Sequence, residues 1–399
     1  MKAFNLSNNI IFISFFVIML FMYLTGLKLL YPPYYTVLPF FIIGLLGFFI
    51  NARSIKKEYI VVLLIIFFSF FSYVFSSLIN QVFIFDYIKQ IPLLFLFNFF
   101  SAFFLVKFAH NFFSDKFVFF KLIIFSIIFQ ILISFSSYLF PSIYNFIFAI
   151  VDVGLDLNQV DSFNSSRIVG VGASFFGAGV LNSFFLVLVT ILYQKKIIKN
   201  SFFYFLSFLV ISVIGLMLSR TTSIGIFLSL MIIVSNSNKV KNFKILLFLI
   251  LSLILVFFSL PILNKLNDRL FDIIKFGFEF IYNFGDSQAK DSASELPRMF
   301  EKLPTSYLTW LIGDAQYLNE SGGYYKNIDV GYLRILYATG LFGLFLYIYL
   351  HFYLIKNNEM LHGYRKYIFI LFLILNIKGV ANLFPFLILL FFYKKEVLK

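Results

Sequence analysis

Three short polar groups interrupt a largely apolar chain, and each holds side chains able to do chemistry. The first is Asn164-Ser165-Ser166-Arg167-Ile168-Val169-Gly170-Val171-Gly172, followed by Gly177 and Gly179, with Arg167 the only basic residue between positions 141 and 174. A planar guanidinium beside flexible glycines suits bidentate binding of a phosphate at a membrane surface. It equally suits snorkelling to lipid headgroups, the glycines then serving close helix packing. The second group is Ser219-Arg220-Thr221-Thr222, set between two apolar runs. An ionisable side chain there is expensive and points to function, with an interfacial anchor as the other reading.

The third group is Ile328-Asp329-Val330-Gly331-Tyr332-Leu333-Arg334, followed by Gly340 and Gly343. Burial of Asp329 near a membrane surface would raise its pKa toward the range of a general base. Gly340 and Gly343 read as positions where helices approach closely. Upstream, Arg298 opens a helical-looking part of the same loop and Gly313-Asp314 ends it. Trp310, Tyr317, Tyr324 and Tyr325 could stack on sugar rings or sit as interfacial belt residues.

The elements that must position these groups follow from composition. Of 399 residues 61% are hydrophobic and 13% charged, with a mean hydropathy of +0.95. Soluble domains run near 45–50% apolar and about 25% charged, so a water-soluble enzyme and a disordered chain are both excluded. The expected fold is an all-α polytopic integral membrane protein. Cysteine is absent, which removes disulfides, thiolate nucleophiles and thiolate metal sites. His110, His351 and His362 lack metal-ligand spacing, and no Asp-x-Asp motif occurs, so neither a metal nor another cofactor is expected.

A spanning helix needs roughly 20 apolar residues. Candidates run over 9–27, 34–50, 59–79, 91–109, 122–140, 175–193, 201–218, 222–235, 245–262 and 332–352. The stretch 367–393 reads as two half-length helices broken near Lys378-Gly379 and Asn382. With the N-terminus inside, nineteen basic residues and four acids fall on inner loops, leaving thirteen basic and fourteen acidic residues outside. The formal charge of +14 is then a topology signal and not a nucleic-acid footprint. The pattern predicts about twelve crossings in one membrane domain over 1–399, both termini cytoplasmic, with the first segment an anchor and not a removed signal peptide. Two long outside loops result, 141–174 and 263–331, the second partly helical near 265–283 and 298–311 and lying between spans 9 and 10.

This architecture, with Arg-x-x-Gly after the fifth span, Ser-Arg-Thr after the seventh, and Asp-x-x-Tyr-Leu-Arg then Gly-x-x-Gly closing the large loop, resembles the O-antigen polymerase (Wzy) family. That family belongs to the wider superfamily of O-antigen ligases and capsule or exopolysaccharide polymerases. The resemblance implies a metal-independent glycosyltransferase at the periplasmic face of the bacterial inner membrane. It would move a growing glycan from undecaprenyl pyrophosphate onto a new lipid-linked repeat unit, with a flippase and a chain-length regulator as membrane partners beside the lipids themselves. Carried over by position, Arg167, Arg220 and Arg298 hold pyrophosphate and Asp329 acts on the acceptor hydroxyl. Gly170, Gly172, Ser219, Thr221, Tyr324, Tyr325, Tyr332 and Arg334 line the substrate. Ligases of the superfamily place a His near the position of Asp329, which favours the polymerase over the ligase. A twelve-span transporter or flippase is the rival from another class; it would place charge at mid-span, where Lys378 is the one candidate.

Overall fold

A computed structural model describes residues 10–30, 35–51, 55–113, 116–152, 167–235, a few positions between 247 and 254, 268–278, 297–319 and 322–397. In chain order the helices are α1 (Ile10–Thr25), α2 (Leu38–Ile50), α3 (Lys57–Asn80), α4 (Asp86–Gln90), α5 (Pro92–Phe112), α6 (Lys116–Leu139), α7 (Pro141–Phe148) and α8 (Phe175–Gln194). They continue with α9 (Ser201–Leu218), α10 (Thr222–Val234), α11 (Asp268–Gly277), α12 (Tyr307–Ile312), α13 (Gly331–Lys356), α14 (Arg365–Lys378) and α15 (Phe384–Val397). Among the described residues no strand forms, only isolated antiparallel bridges such as Leu29 with Val151. The described residues are therefore all-helical, as expected.

Among the described residues six segments are long and apolar enough to cross a membrane: Lys57–Asn80, Asp86–Phe112, Phe117–Leu139, Phe175–Gln194, Ser201–Leu218 and Gly331–Lys356. The helices at α1, α2, α10 and α15 are apolar but shorter. A helix of 13 residues such as α2 or α10 reaches only about 20 Å at 1.5 Å per residue. The expected span 245–262 lies almost wholly outside the described residues.

The break expected in 367–393 is present, at residues 379–383. Asn376 accepts the N–H of Ala381 (3.1 Å) and Asn382 that of Phe384 (3.0 Å), so side chains satisfy the backbone where the helical ladder stops. The helix expected over 298–311 is instead two pieces, a turn at 297–300 and α12. Pro304 separates them, because it disfavours helix at the preceding residue and lacks an N–H. Of the part expected at 265–283, α11 covers ten residues; positions 279–283 lie outside the described residues.

The chain forms two compact units. Unit 1 comprises residues 1–37 and 108–287. Its centre is α8, which packs along α6, α9 and α10 and buries 83% of its apolar window. Such a helix is apolar on every side, as burial on all faces demands. A Cβ on Gly179 would come within 2.6 Å of Ser219 Oγ and 2.7 Å of Thr221 Cβ, so a small residue there lets α8 meet the α9–α10 turn.

Unit 2 comprises residues 38–107 and 288–399, with α13 at its centre against α3, α12, α14 and α15. At Gly340 α13 bends sharply, φ being +68°, a left-handed backbone that glycine adopts without steric cost. The bend interrupts the helical ladder, and the carbonyl of Tyr337 is taken instead by the N–H of Asp314 at 2.6 Å. Phe95 stacks on Phe384 (4.6 Å between centroids) and Phe99 meets Phe392 edge-on (5.0 Å), closing the apolar side of the unit.

Candidate functional sites, one in each unit

In unit 1 the site begins at the C-terminal end of α9, whose last carbonyls have no partner within the helix. The Gly215 carbonyl accepts the Ser219 N–H (2.8 Å) and the Thr222 hydroxyl (2.9 Å). The Met217 carbonyl accepts the N–H of Ile168 (3.2 Å), which docks the 168–174 segment on the helix end. From below, Gln130 of α6 donates to the carbonyls of Val171 (3.3 Å) and Ala173 (3.4 Å), while Ser134 Oγ accepts the N–H of Val171 (2.9 Å).

Two glycines of this segment sit at close contacts. Gly172 holds φ +78° against Thr25, and Gly170 abuts the Ala173 carbonyl. The turn is held by Thr25 at the end of α1 and by Gln130 and Ser134 of α6. Farther up the chain, Lys28 and Asp152 form a 2.5 Å ion pair beside two backbone hydrogen bonds between residues 28–30 and 150–152.

This docking brings Arg167 beside Arg220. Phe276 of α11 lies under both guanidiniums, its centroid 4.8 Å from Arg220 Cζ and 5.8 Å from Arg167 Cζ. Phe175 covers Arg167 at 4.1 Å. Burial, and then the charge of Arg220, push Arg167 down to about 10, so it remains cationic at neutral pH. Each cation–π contact contributes about 0.5–2 kcal/mol and offsets part of the repulsion between like charges. Two guanidiniums side by side on aromatic faces make a receptor for a multiply charged oxyanion.

Ser219 is buried and caps α9, a packing role. Thr221 gives its carbonyl to Ser183 Oγ at 3.0 Å, and its own hydroxyl is buried with no hydrogen-bond partner.

In unit 2 the residues around the start of α13 converge on Arg334. Its guanidinium carbon lies 3.8 Å from the Tyr324 ring centroid and 4.4 Å from that of Tyr317. Asp329, half-buried just before α13, has its carboxyl raised above the usual aspartate value by burial, with Arg334 and Lys378 opposing that rise. The direction is the one expected from the sequence. Tyr325 is committed elsewhere: its hydroxyl donates to Asp314 (3.2 Å), which also accepts from Thr309 (2.6 Å) and faces Lys326 (3.5 Å). The Tyr332 hydroxyl donates to the Leu373 carbonyl (2.8 Å), tying α13 to α14. Arg298 is exposed on the turn at 297–300. Gly343 packs on Thr339 and on Ser72 of α3, and Gly340 lies against the Leu311–Ile312 backbone of α12, as close-approach glycines should; Gly340 serves the bend as well.

Phe276, Phe175 and the Asp314–Lys326 clasp escaped the sequence reading. The one available signal was the amphipathic pattern of 268–277, which places an apolar face, Ile273 and Ile274 included, toward a partner helix. No family model, no curated protein and no solved structure matches this chain.

Proposed function

We propose that the chain is a polysaccharide polymerase of the bacterial inner membrane, using lipid-pyrophosphate-linked glycans at the periplasmic face. In this reading it crosses the membrane about twelve times with both termini in the cytoplasm. The observation that carries the proposal is the convergence of Arg167 and Arg220 over Phe276. It joins the resemblance in sequence to a geometry suited to a pyrophosphate.

The chemistry follows directly. The acceptor hydroxyl oxygen attacks the anomeric carbon of the donor glycan, and the bond from that carbon to the pyrophosphate oxygen breaks. The leaving undecaprenyl pyrophosphate keeps the electron pair, and its added negative charge is what the guanidiniums stabilise more in the transition state than in the ground state. Asp329 takes the hydroxyl proton; its raised pKa makes it a stronger base than an ordinary aspartate. Attack in one displacement inverts the anomeric centre.

The deciding experiment is the lipopolysaccharide banding pattern of a strain lacking the gene, complemented with wild type, Arg220→Ala or Asp329→Asn. Core capped by a single repeat, restored to a ladder by wild type alone, is the expected result. Loss of every repeat with long chains stranded on the lipid carrier would identify a ligase. Repeats confined to the cytoplasmic face would identify a flippase.

A further inference from the structure

Arg334 is the most anomalous charge among the described residues. It is 7% exposed, in the first turn of a long apolar helix, and its Nε is buried with no hydrogen-bond partner. The ion pairs among the described residues, such as Lys28–Asp152 and Lys326–Asp314, do not include it. Asp329 acts on it through space without forming an ion pair. Burying a cation without pairing or hydrogen bonding it is costly, and a buried donor left unsatisfied costs about 1–3 kcal/mol more. What accompanies Arg334 is aromatic: Tyr317, itself buried, and Tyr324, 42% exposed, lie within 4.4 Å of its guanidinium carbon. Rings this close lie against the flat face of a guanidinium, which leaves its in-plane N–H groups to do the recognition.

A carboxylate or phosphate is the partner whose geometry matches those N–H groups two at a time. A sugar ring is the body that Tyr324, exposed beside it, can stack. Lys378 is a second positive charge that acts on Asp329. We propose that Arg334, with Tyr317 and Tyr324, forms a subsite that reads an acidic sugar, one bearing a carboxylate or a phosphate, in the glycan substrate. The proposal rests on the polymerase reading for the word substrate; the binding itself does not depend on it.

The test uses the full-length protein in phosphatidylcholine nanodiscs, with binding of glucuronate, glucose 6-phosphate and glucose measured by microscale thermophoresis. At least one acidic sugar binds roughly tenfold or more tighter than glucose, as a charge-assisted bidentate contact should allow. Arg334→Lys keeps the charge but not the planar fork and loses about tenfold. Tyr324→Leu, at a half-exposed position, weakens binding severalfold and reports on the subsite even where an Arg334 variant folds poorly. Gly47→Ala, at a position with nothing within 4 Å of the added methyl, leaves acidic-sugar binding as in wild type.

Equal affinity for glucose and both acidic sugars overturns the proposal, as does wild-type binding by Arg334→Lys. Abolition by added phosphatidylglycerol assigns Arg334 to a lipid headgroup and also overturns it. Because no turnover is measured, failure of the polymerase reading in the banding experiment leaves this result standing on its own.

Discussion

The backbone N–H of Ile168 donates to the carbonyl of Met217 at 3.2 Å, and this bond joins the buried 168–171 segment to the end of an apolar helix. Each of the two residues stands within three positions of a candidate catalytic arginine. The helix end supplies a carbonyl it cannot satisfy itself, and the loop supplies the donor. The placement of Arg167 beside Arg220 thus rests in part on a main-chain contact, with the side chains of Gln130 and Ser134 holding the rest of the loop.

Removing either guanidinium is expected to cost about 3–4 kcal/mol of transition-state stabilisation, or 10²–10³ in rate, by analogy with loss of one oxyanion donor. Arg167→Ala and Arg220→Ala should each lower kcat of an in vitro elongation assay on that scale. The double variant should fall well short of the product of the two losses, because the residues act on one group. Full multiplicativity would show that they hold separate anions.

The loop anchor can be weakened without touching a charge. Ser134→Ala removes the acceptor of the buried Val171 N–H and is expected to cost about 1–3 kcal/mol. Thermal unfolding in detergent measures the loss, and elongation should fall with it as Arg167 loses its fixed place. An unchanged melting temperature would mean that the segment has other support.

Asp329 makes a prediction with a sign. Its folded pKa lies above the unfolded value near 3.9, so between those two values the folded state holds more protons and stability declines as pH rises through that window. Asp329→Asn should therefore melt higher than wild type at neutral pH, with the difference closing toward pH 4. Activity runs the other way. It should rise with pH as Asp329 ionises, and the Asn variant should lose about 10²–10⁴ of the rate together with that pH limb.

Gly340→Ala forces a side chain into a left-handed backbone that also faces the Leu311 carbonyl. A loss of at least 1–3 kcal/mol is expected, seen as a lower melting temperature. Gly47→Ala, where nothing lies within 4 Å of the added methyl, should stabilise slightly or leave the protein unchanged.

Six of the expected apolar spans were legible because lipid imposes long apolar runs. The break after Lys378 was legible too, since Gly379 and Asn382 announce it locally. Asp329 could be singled out from its place at the re-entry of the chain. The aromatic support of the arginines was not legible: Phe276 is one of 63 phenylalanines, and only a packed fold says which of them meets a guanidinium. The same holds for Gly172, read as flexible from its type, whose neighbours Thr25 and Gln130 come from distant helices. Local chemistry marks helix ends and breaks; contacts across more than 30 positions carry no local mark.

Both units are discontinuous in sequence, and this has a consequence for biosynthesis. The first 37 residues of unit 1 emerge from the ribosome before any of unit 2, and then wait for 70 residues of unit 2 before their own partners follow. Unit 2 waits in turn while 180 residues of unit 1 are made. At about 5–20 residues per second these pauses last roughly 3–15 s and 9–36 s. During each, helices whose native partners do not yet exist must be held in the bilayer by the insertion machinery or by lipid. For the same reason no single cut in the gene yields either unit alone: a cut after residue 287 keeps unit 1 whole but leaves 70 residues of unit 2 attached to it.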